Sequence, residues 1–75
     1  MHNILRGKNK RLYGEINKHS NGYKVEYQVY VAKLNVDCNM DQAKLELEAD
    51  NYEEIGNVYF ADVNQAAYYL NQELK

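Results

Sequence analysis

The chain of 75 residues has no tryptophan, no proline and a single cysteine, Cys38. One thiol rules out a disulfide framework within the chain, and such sparse cysteine usage is typical of a reducing compartment. No stretch approaches the roughly 18 consecutive apolar residues of a membrane-spanning helix, and no apolar run of signal-peptide length is present at the start. The sequence therefore predicts a cytoplasmic protein that does not enter a membrane.

Side chains that carry metal or covalent chemistry are also scarce. His2, His19 and Cys38 are the only imidazole or thiol groups, and their spacing fits no structural zinc site. The four glycines stand singly, so there is no glycine-rich phosphate loop. Cys38 and His19 could form a nucleophile–base pair only by an accident of folding, and no oxyanion donor or orienting third group can be named for them. We therefore expect a protein that is not an enzyme and that holds no metal or cofactor.

Charge is divided along the chain. Residues 1–33 contain seven Lys or Arg and two Glu, whereas residues 34–75 contain two Lys and nine Asp or Glu. The two segments carry +5 and −7, which sum to the net charge of −2. A small domain with this division has a positive and a negative region, and each attracts a partner of opposite charge.

Tyrosine and asparagine are unusually frequent, with eight Tyr and ten Asn. A tyrosine ring combines apolar area with a polar tip, so it suits half-buried positions and interfaces. Asn, Tyr, Lys and Ile are favoured by AT-rich codons, and this composition favours an origin in a phage or another mobile element. Because so short a chain buries little core, a homodimer is a further expectation.

Two-residue alternation of apolar and polar side chains predicts a β-hairpin over 11–34. Its two runs flank Asn21-Gly22, the dipeptide that a type I′ turn favours. From Val29 onward both sides of the second run are apolar. We therefore expect a central strand whose second side is covered by the N-terminal segment, by a helix or by a partner subunit.

Residues 43–50 fit two patterns. Their composition favours a helix, and Asn39 with Gln42 resembles a capping box, but apolar and charged residues alternate without a break. On a helix Leu45 and Leu47 would lie about 200° apart, which divides the apolar side. We give the alternation precedence and predict a strand over about 43–50.

The last two elements have clearer signals. Residues 55–60 predict a short strand, and Asp62 with Gln65 forms a capping pattern at the start of a helix over 62–74. The helix carries one apolar stripe, made of Val63, Ala66, Ala67, Leu70 and Leu74.

The predicted fold class is α+β. It consists of an antiparallel four-stranded meander, with the C-terminal amphipathic helix packed on one face. The strands are those of the hairpin 11–34 and of the segments at about 43–50 and 55–60. Residues 1–10 are predicted to be a flexible basic arm in front of a single domain of residues 11–75.

Our first functional hypothesis is a non-enzymatic interaction module, a phage-type inhibitor or modulator that docks stoichiometrically on a host protein. Glu46, Glu48 and Asp50 would project from the strand 43–50 as an acidic ladder, and Tyr30 would act as an anchor. A solvated outer sheet face is the alternative interpretation of the same residues.

A second hypothesis is a small regulator that binds DNA or RNA through its basic N-terminal residues, Arg6, Lys8, Lys10 and Arg11. In outline, residues 11–74, with Phe60, Ala66 and Leu70 near their end, resemble the AP2-type DNA-binding domains. The resemblance implies major-groove binding by a three-stranded sheet. The chain departs from those domains in its isoelectric point of about 5.6 and in its acidic third strand.

A third hypothesis is a self-assembling structural subunit. The positive region of one copy would meet the negative region of the next, in a head-to-tail contact.

Overall fold

The computed structural model describes residues 4–9 and 11–75. In chain order the elements are strands β1 (Leu5–Arg6), β2 (Leu12–Asn21) and β3 (Lys24–Leu34), helix α1 (Met40–Glu48), strand β4 (Tyr52–Phe60) and helix α2 (Val63–Glu73). The four strands form one antiparallel sheet in the order β1-β2-β3-β4. The predicted α+β class, with its four-stranded antiparallel meander and C-terminal helix, is confirmed.

The hairpin of β2 and β3 is confirmed, but its turn is displaced by one residue. Asn21 pairs with Lys24, so the central turn residues are Gly22 and Tyr23. Gly22 has a φ of 62°, and Tyr23 has no positive φ. This is the pattern of a type II′ turn, which places glycine at its first central position. The type I′ prediction is wrong because it required a positive φ at Asn21.

The strand predicted over 43–50 is wrong, because helix α1 occupies most of this segment. The side chain of Asn39 caps the helix: its Oδ1 accepts a hydrogen bond of 2.9 Å from the backbone N–H of Gln42. The Gln42 side chain in turn donates to Glu46 Oε1 at 2.8 Å, one helical turn later. Capping and helix propensity together outweigh the alternation that favoured a strand.

The alternation misled because α1 uses a narrow apolar stripe. Ala43 and Leu47 are buried and lie four residues apart, whereas Leu45 is 58% exposed. The leucine that seemed to share a strand face with Leu47 therefore lies in solvent on the helix.

The fourth strand of the sheet comes instead from the predicted arm. Leu5 and Arg6 pair with Gly14 and Tyr13 of β2. The following backbone is also bonded, with Lys8 N–H donating to the carbonyl of Leu74 at 3.0 Å. Residues 4–9 thus belong to the domain instead of preceding it, which corrects the predicted boundary at residue 11. Residues 1–3 and 10 of that arm lie outside the described residues.

Two separate cores lie on opposite sides of the sheet. The α1-side core consists of buried residues under α1, namely Tyr13, Ala32, Leu34, Ala43 and Leu47. The α2-side core consists of buried residues under α2, namely Val29, Val31, Ala66, Leu70 and Leu74. Strand β3 contributes to both, which explains why its sequence is apolar on both sides. Of the three covers expected for its second side, the helix is observed as α1, and Ile4 of the N-terminal segment also packs against the α1-side core.

Helix α2 begins as predicted, with Asp62 Oδ1 accepting a 2.7 Å hydrogen bond from the backbone N–H of Asn64. Its buried residues Ala66 and Leu70 belong to the predicted apolar stripe. Among the described residues, neither helix is long and apolar enough to span a membrane.

Candidate functional site

Helix α1 covers only one end of its side of the sheet. It packs over the end of β3 that contains Ala32 and Leu34. Alternate residues of a strand lie on the same side of a sheet. Beyond the part that α1 covers, this side of the sheet is therefore formed by polar residues of β2, β3 and β4. These residues, which we call the open face, are Asn17, His19, Gln28, Asn57 and Tyr59.

Hydrogen bonds tie the open face together across three strands. His19 Nε2 lies 2.9 Å from Gln28 Oε1, and Gln28 Nε2 donates to Asn57 Oδ1 at 2.9 Å. The rings of His19 and Tyr59 lie 5.9 Å apart between centroids, and Tyr59 is 52% exposed. The side chains therefore hold one another in place while still presenting donors, acceptors and an aromatic ring to solvent.

A tyrosine pair separates the open face from the α1-side core. The Tyr30 hydroxyl donates to the Tyr52 hydroxyl at 3.2 Å, and the rings meet edge to face with centroids 6.3 Å apart. Burial raises the pKa of Tyr30, and the hydrogen bond to Tyr52 and the negative charges of Glu54 and Asp50 raise it further. Tyr30 is thus half-buried and bonded within the fold, and it borders the open face.

The acidic residues singled out in the sequence do not form a ladder. Glu46 and Glu48 lie on α1, where residues two apart point in different directions. Asp50 follows the helix in the left-handed conformation, with a φ of 58°. The fold does bring Asp50 into electrostatic range of Tyr30, together with Glu54. With the strand gone, the geometric basis of the ladder is wrong, and the binding role of these residues stays a prediction.

Sequence reasoning missed most of the open face. Asn17 and His19 stand on the polar side of a correctly predicted hairpin, so that alternation was the available signal. Asn57 and Tyr59 join them only through the register of β4 on β3, in which Tyr30 pairs with Asn57 and Gln28 with Tyr59. No local pattern encodes that register.

The side chains of Arg6 and Arg11 make hydrogen bonds within the fold. The guanidinium of Arg6 donates to the carbonyl of Cys38, lies 3.7 Å from Asp37 Oδ1 and sits 5.6 Å from the centroid of the Tyr13 ring. Arg11 Nε donates to the carbonyl of Leu34 at 2.9 Å. Arg6 thus ties β1 to the loop before α1, and Arg11 ties the start of β2 to the last residue of β3.

The remaining residues of the predicted phosphate-binding set are differently placed. Lys8 is exposed beside the end of α2, and Lys10 lies outside the described residues. Of the predicted set, the described members are therefore two arginines in structural hydrogen bonds and one surface lysine, Lys8, which lines a hollow with Lys75.

The raised pKa of Tyr30 predicts a loss of stability at alkaline pH. An unfolded tyrosine ionises at about pH 10, whereas the folded protein holds this phenol neutral, so the stabilisation is complete below about pH 10 and falls as the pH rises above it. We expect the urea midpoint to fall less steeply between about pH 10 and 11 in Tyr30→Phe than in the wild type. An equal slope in the two proteins would contradict the assignment, and Tyr23→Phe, at the exposed turn, is the matched control.

Within residues 4–9 and 11–75, no group of three or more His, Cys, Asp or Glu side chains is placed to hold a metal ion. Comparisons with protein-family models, with curated proteins and with solved structures find no match to this chain.

Proposed function

We propose that the protein is a small non-enzymatic interaction module that docks stoichiometrically on another protein through its open face. The observation that carries this proposal is the limited reach of α1, which leaves a three-stranded surface of Tyr, His, Asn and Gln exposed. Such side chains supply aromatic contact area and adaptable hydrogen bonding, and they are frequent in protein-binding surfaces. The hydrogen bonds within the face reduce the ordering cost of binding.

The partner that fits this surface is a protein with a basic patch. Glu54 is exposed on β4 on the same side of the sheet as the open face, and Asp50 is exposed just before β4 begins; both lie within electrostatic range of Tyr30, which borders the face. Negative charge at the border of a docking surface steers a positively charged partner and orients it. An inhibitor or modulator of a host protein, encoded by a phage or another mobile element, is the form of this function that the composition supports.

The contacts of the basic residues favour this proposal over nucleic-acid binding. The guanidinium groups of Arg6 and Arg11 donate to backbone carbonyls. Each guanidinium therefore has part of its five N–H donors committed within the fold, which restricts how it can turn towards a phosphate. The carboxylates at the border of the open face would also repel a phosphate backbone.

Affinity capture with matched variants tests the proposal. The immobilised protein is exposed to lysate of a plausible host, beside Tyr59→Ala and Glu54→Lys. The controls are Tyr23→Ala, at the exposed hairpin turn, and Glu73→Lys, on the other side of the sheet. We expect a protein that the wild type and both controls retain equally and that each test variant retains at least about tenfold less.

Two results would contradict docking through the open face. One is recovery of no specific protein by the wild type. The other is recovery of the same protein by all five baits in equal amount. Glu46→Lys/Glu48→Lys serves as a further bait, because a loss confined to that variant would move the contact from the open face to α1.

A further inference from the structure

Strand β4 has a free edge with few of the features that usually protect one. It is an outer strand of the sheet, nine residues long, and Tyr52–Phe60 contains no Pro, Lys or Arg. The other outer strand, β1, has two residues. An edge strand presents unpaired N–H and C=O groups, and natural proteins usually blunt it by shortness, proline, charged side chains, β-bulges or a cover. In β4 the charges and the bulge lie within residues 53–55, so residues 56–60 have none of these features. In the described chain no segment pairs with the outer side of β4.

The regular part of this edge is self-complementary. A bulge in the pairing with β3 at Val31/Ala32 leaves residues 56–60 as the uninterrupted portion. If two copies of this portion pair antiparallel about Val58, Gly56 faces Phe60, Asn57 faces Tyr59, and Val58 faces its own copy. A phenylalanine ring can cover a glycine, and Val–Val and Asn–Tyr pairs are compatible cross-strand neighbours.

An apolar surface of α2 continues this edge on the α2 side of the sheet. A shallow hollow of about 590 Å³ is lined by side chains of β4 and α2, namely Phe60, Asn64, Gln65, Tyr68, Tyr69 and Gln72. The rings of Phe60 and Tyr69 lie 5.4 Å apart between centroids, and Tyr68 is 68% exposed. Tyr69 also reaches over Gly56, so this helix surface lies above β4.

We propose that two copies of the chain form a homodimer by antiparallel pairing of their β4 edges across a twofold axis at Val58. The two sheets then join into one of eight strands, and the aromatic hollows beside the two α2 helices meet above the joint. Glu53 and Glu54 of one copy lie beyond the paired residues 56–60, at the opposite end of the joint from those of the other copy, so the dimer does not place them against one another. The contact is isologous and closes at two subunits, unlike an open head-to-tail assembly.

A second copy fits the edge better than an unrelated strand for two reasons. Residues 56–60 carry no charge, so the exposed Val58 can face its own copy without like charges meeting, and a chain this short gains core by doubling. The dimer does not depend on the docking proposal. The open faces of the two copies would lie side by side on the α1 side of the joined sheet.

Sedimentation velocity over a protein concentration series tests the dimer. The variant is Val58→Lys, and the matched control is Val25→Lys, because the two valines are 36% and 37% exposed on the same side of the sheet. We expect the wild type and Val25→Lys to sediment with twice the chain mass of 8.8 kDa. Val58→Lys places two like charges directly opposite each other and should raise the dissociation constant at least about tenfold.

A wild type that stays monomeric would overturn the proposal. So would a Val58→Lys variant that dimerises as strongly as Val25→Lys. If Val58→Lys fails to fold by circular dichroism, hydrogen exchange of the wild type decides. Protection of backbone amides in residues 56–60 should then rise with protein concentration, and protection independent of concentration would overturn the proposal.

Discussion

Leu47→Ala is expected to lower the free energy of unfolding by about 2–4 kcal/mol, the usual cost of removing a buried leucine side chain. Leu47 is 5% exposed and belongs to the α1-side core, where it packs with Leu34 and other buried residues. The truncation leaves a cavity between α1 and the sheet that the short helix can close only by shifting. Urea unfolding followed by circular dichroism measures the change.

Leu45→Ala is the control, because it removes the same atoms two residues earlier. Leu45 is 58% exposed on α1, so the loss should stay within about 0.5 kcal/mol. On a strand the two leucines would lie on the same side and would cost similar amounts. Equal destabilisation by the two variants would therefore contradict the helix.

Gly14→Ala is expected to destabilise the protein by about 1–3 kcal/mol through overpacking. A Cβ atom at Gly14 would lie within van der Waals overlap of Leu70 Cδ1 and 3.3 Å from the carbonyl oxygen of Tyr30. Leu70 is buried in the α2-side core and cannot move freely, so α2 would have to lift from β2. Thermal and urea unfolding both report the loss.

Gly56→Ala is the matched control on the other side of Val31. Gly14 and Gly56 both pair with Val31 in the sheet. At Gly56 the nearest atoms to an added Cβ are 3.4–3.5 Å away, which is ordinary contact. We expect this variant to lie within about 0.5 kcal/mol of the wild type. If the two glycine variants were equally stable, the close approach of α2 to β2 would be wrong.

The sequence predicted those parts of the fold whose signals are local. The hairpin alternates over many residues, and α2 carries a cap at Asp62 and one continuous apolar stripe, so both elements were found. The prediction for segment 43–50 is wrong because its periodicity and its helix propensity disagree, and the helix propensity, not the periodicity, determines the structure. Strand β1 has only two residues, too few for any period, and it is held by pairing with β2.

The site was less predictable than the fold, because it is assembled by register. Tyr30 and Asp50 are both among the predicted protein-binding residues, and the structure brings them into electrostatic range. The ladder of alternating carboxylates, on which the prediction for Asp50 rested, is wrong. Gln28 and Asn57 meet only because β4, which follows helix α1 in the chain, pairs with β3 in this register. No spacing of residues in the sequence predicts that contact.

Nuclear magnetic resonance of the wild type tests most directly whether α1 stops short of the open face. Helical Cα shifts are expected over Met40–Glu48, with nuclear Overhauser contacts from the Leu47 methyl groups to Ala32 or Leu34 and none to Gln28 or Asn57. Strand-like shifts over 43–50, or Leu47 contacts to Gln28 or Asn57, would contradict the open face and the docking surface built on it.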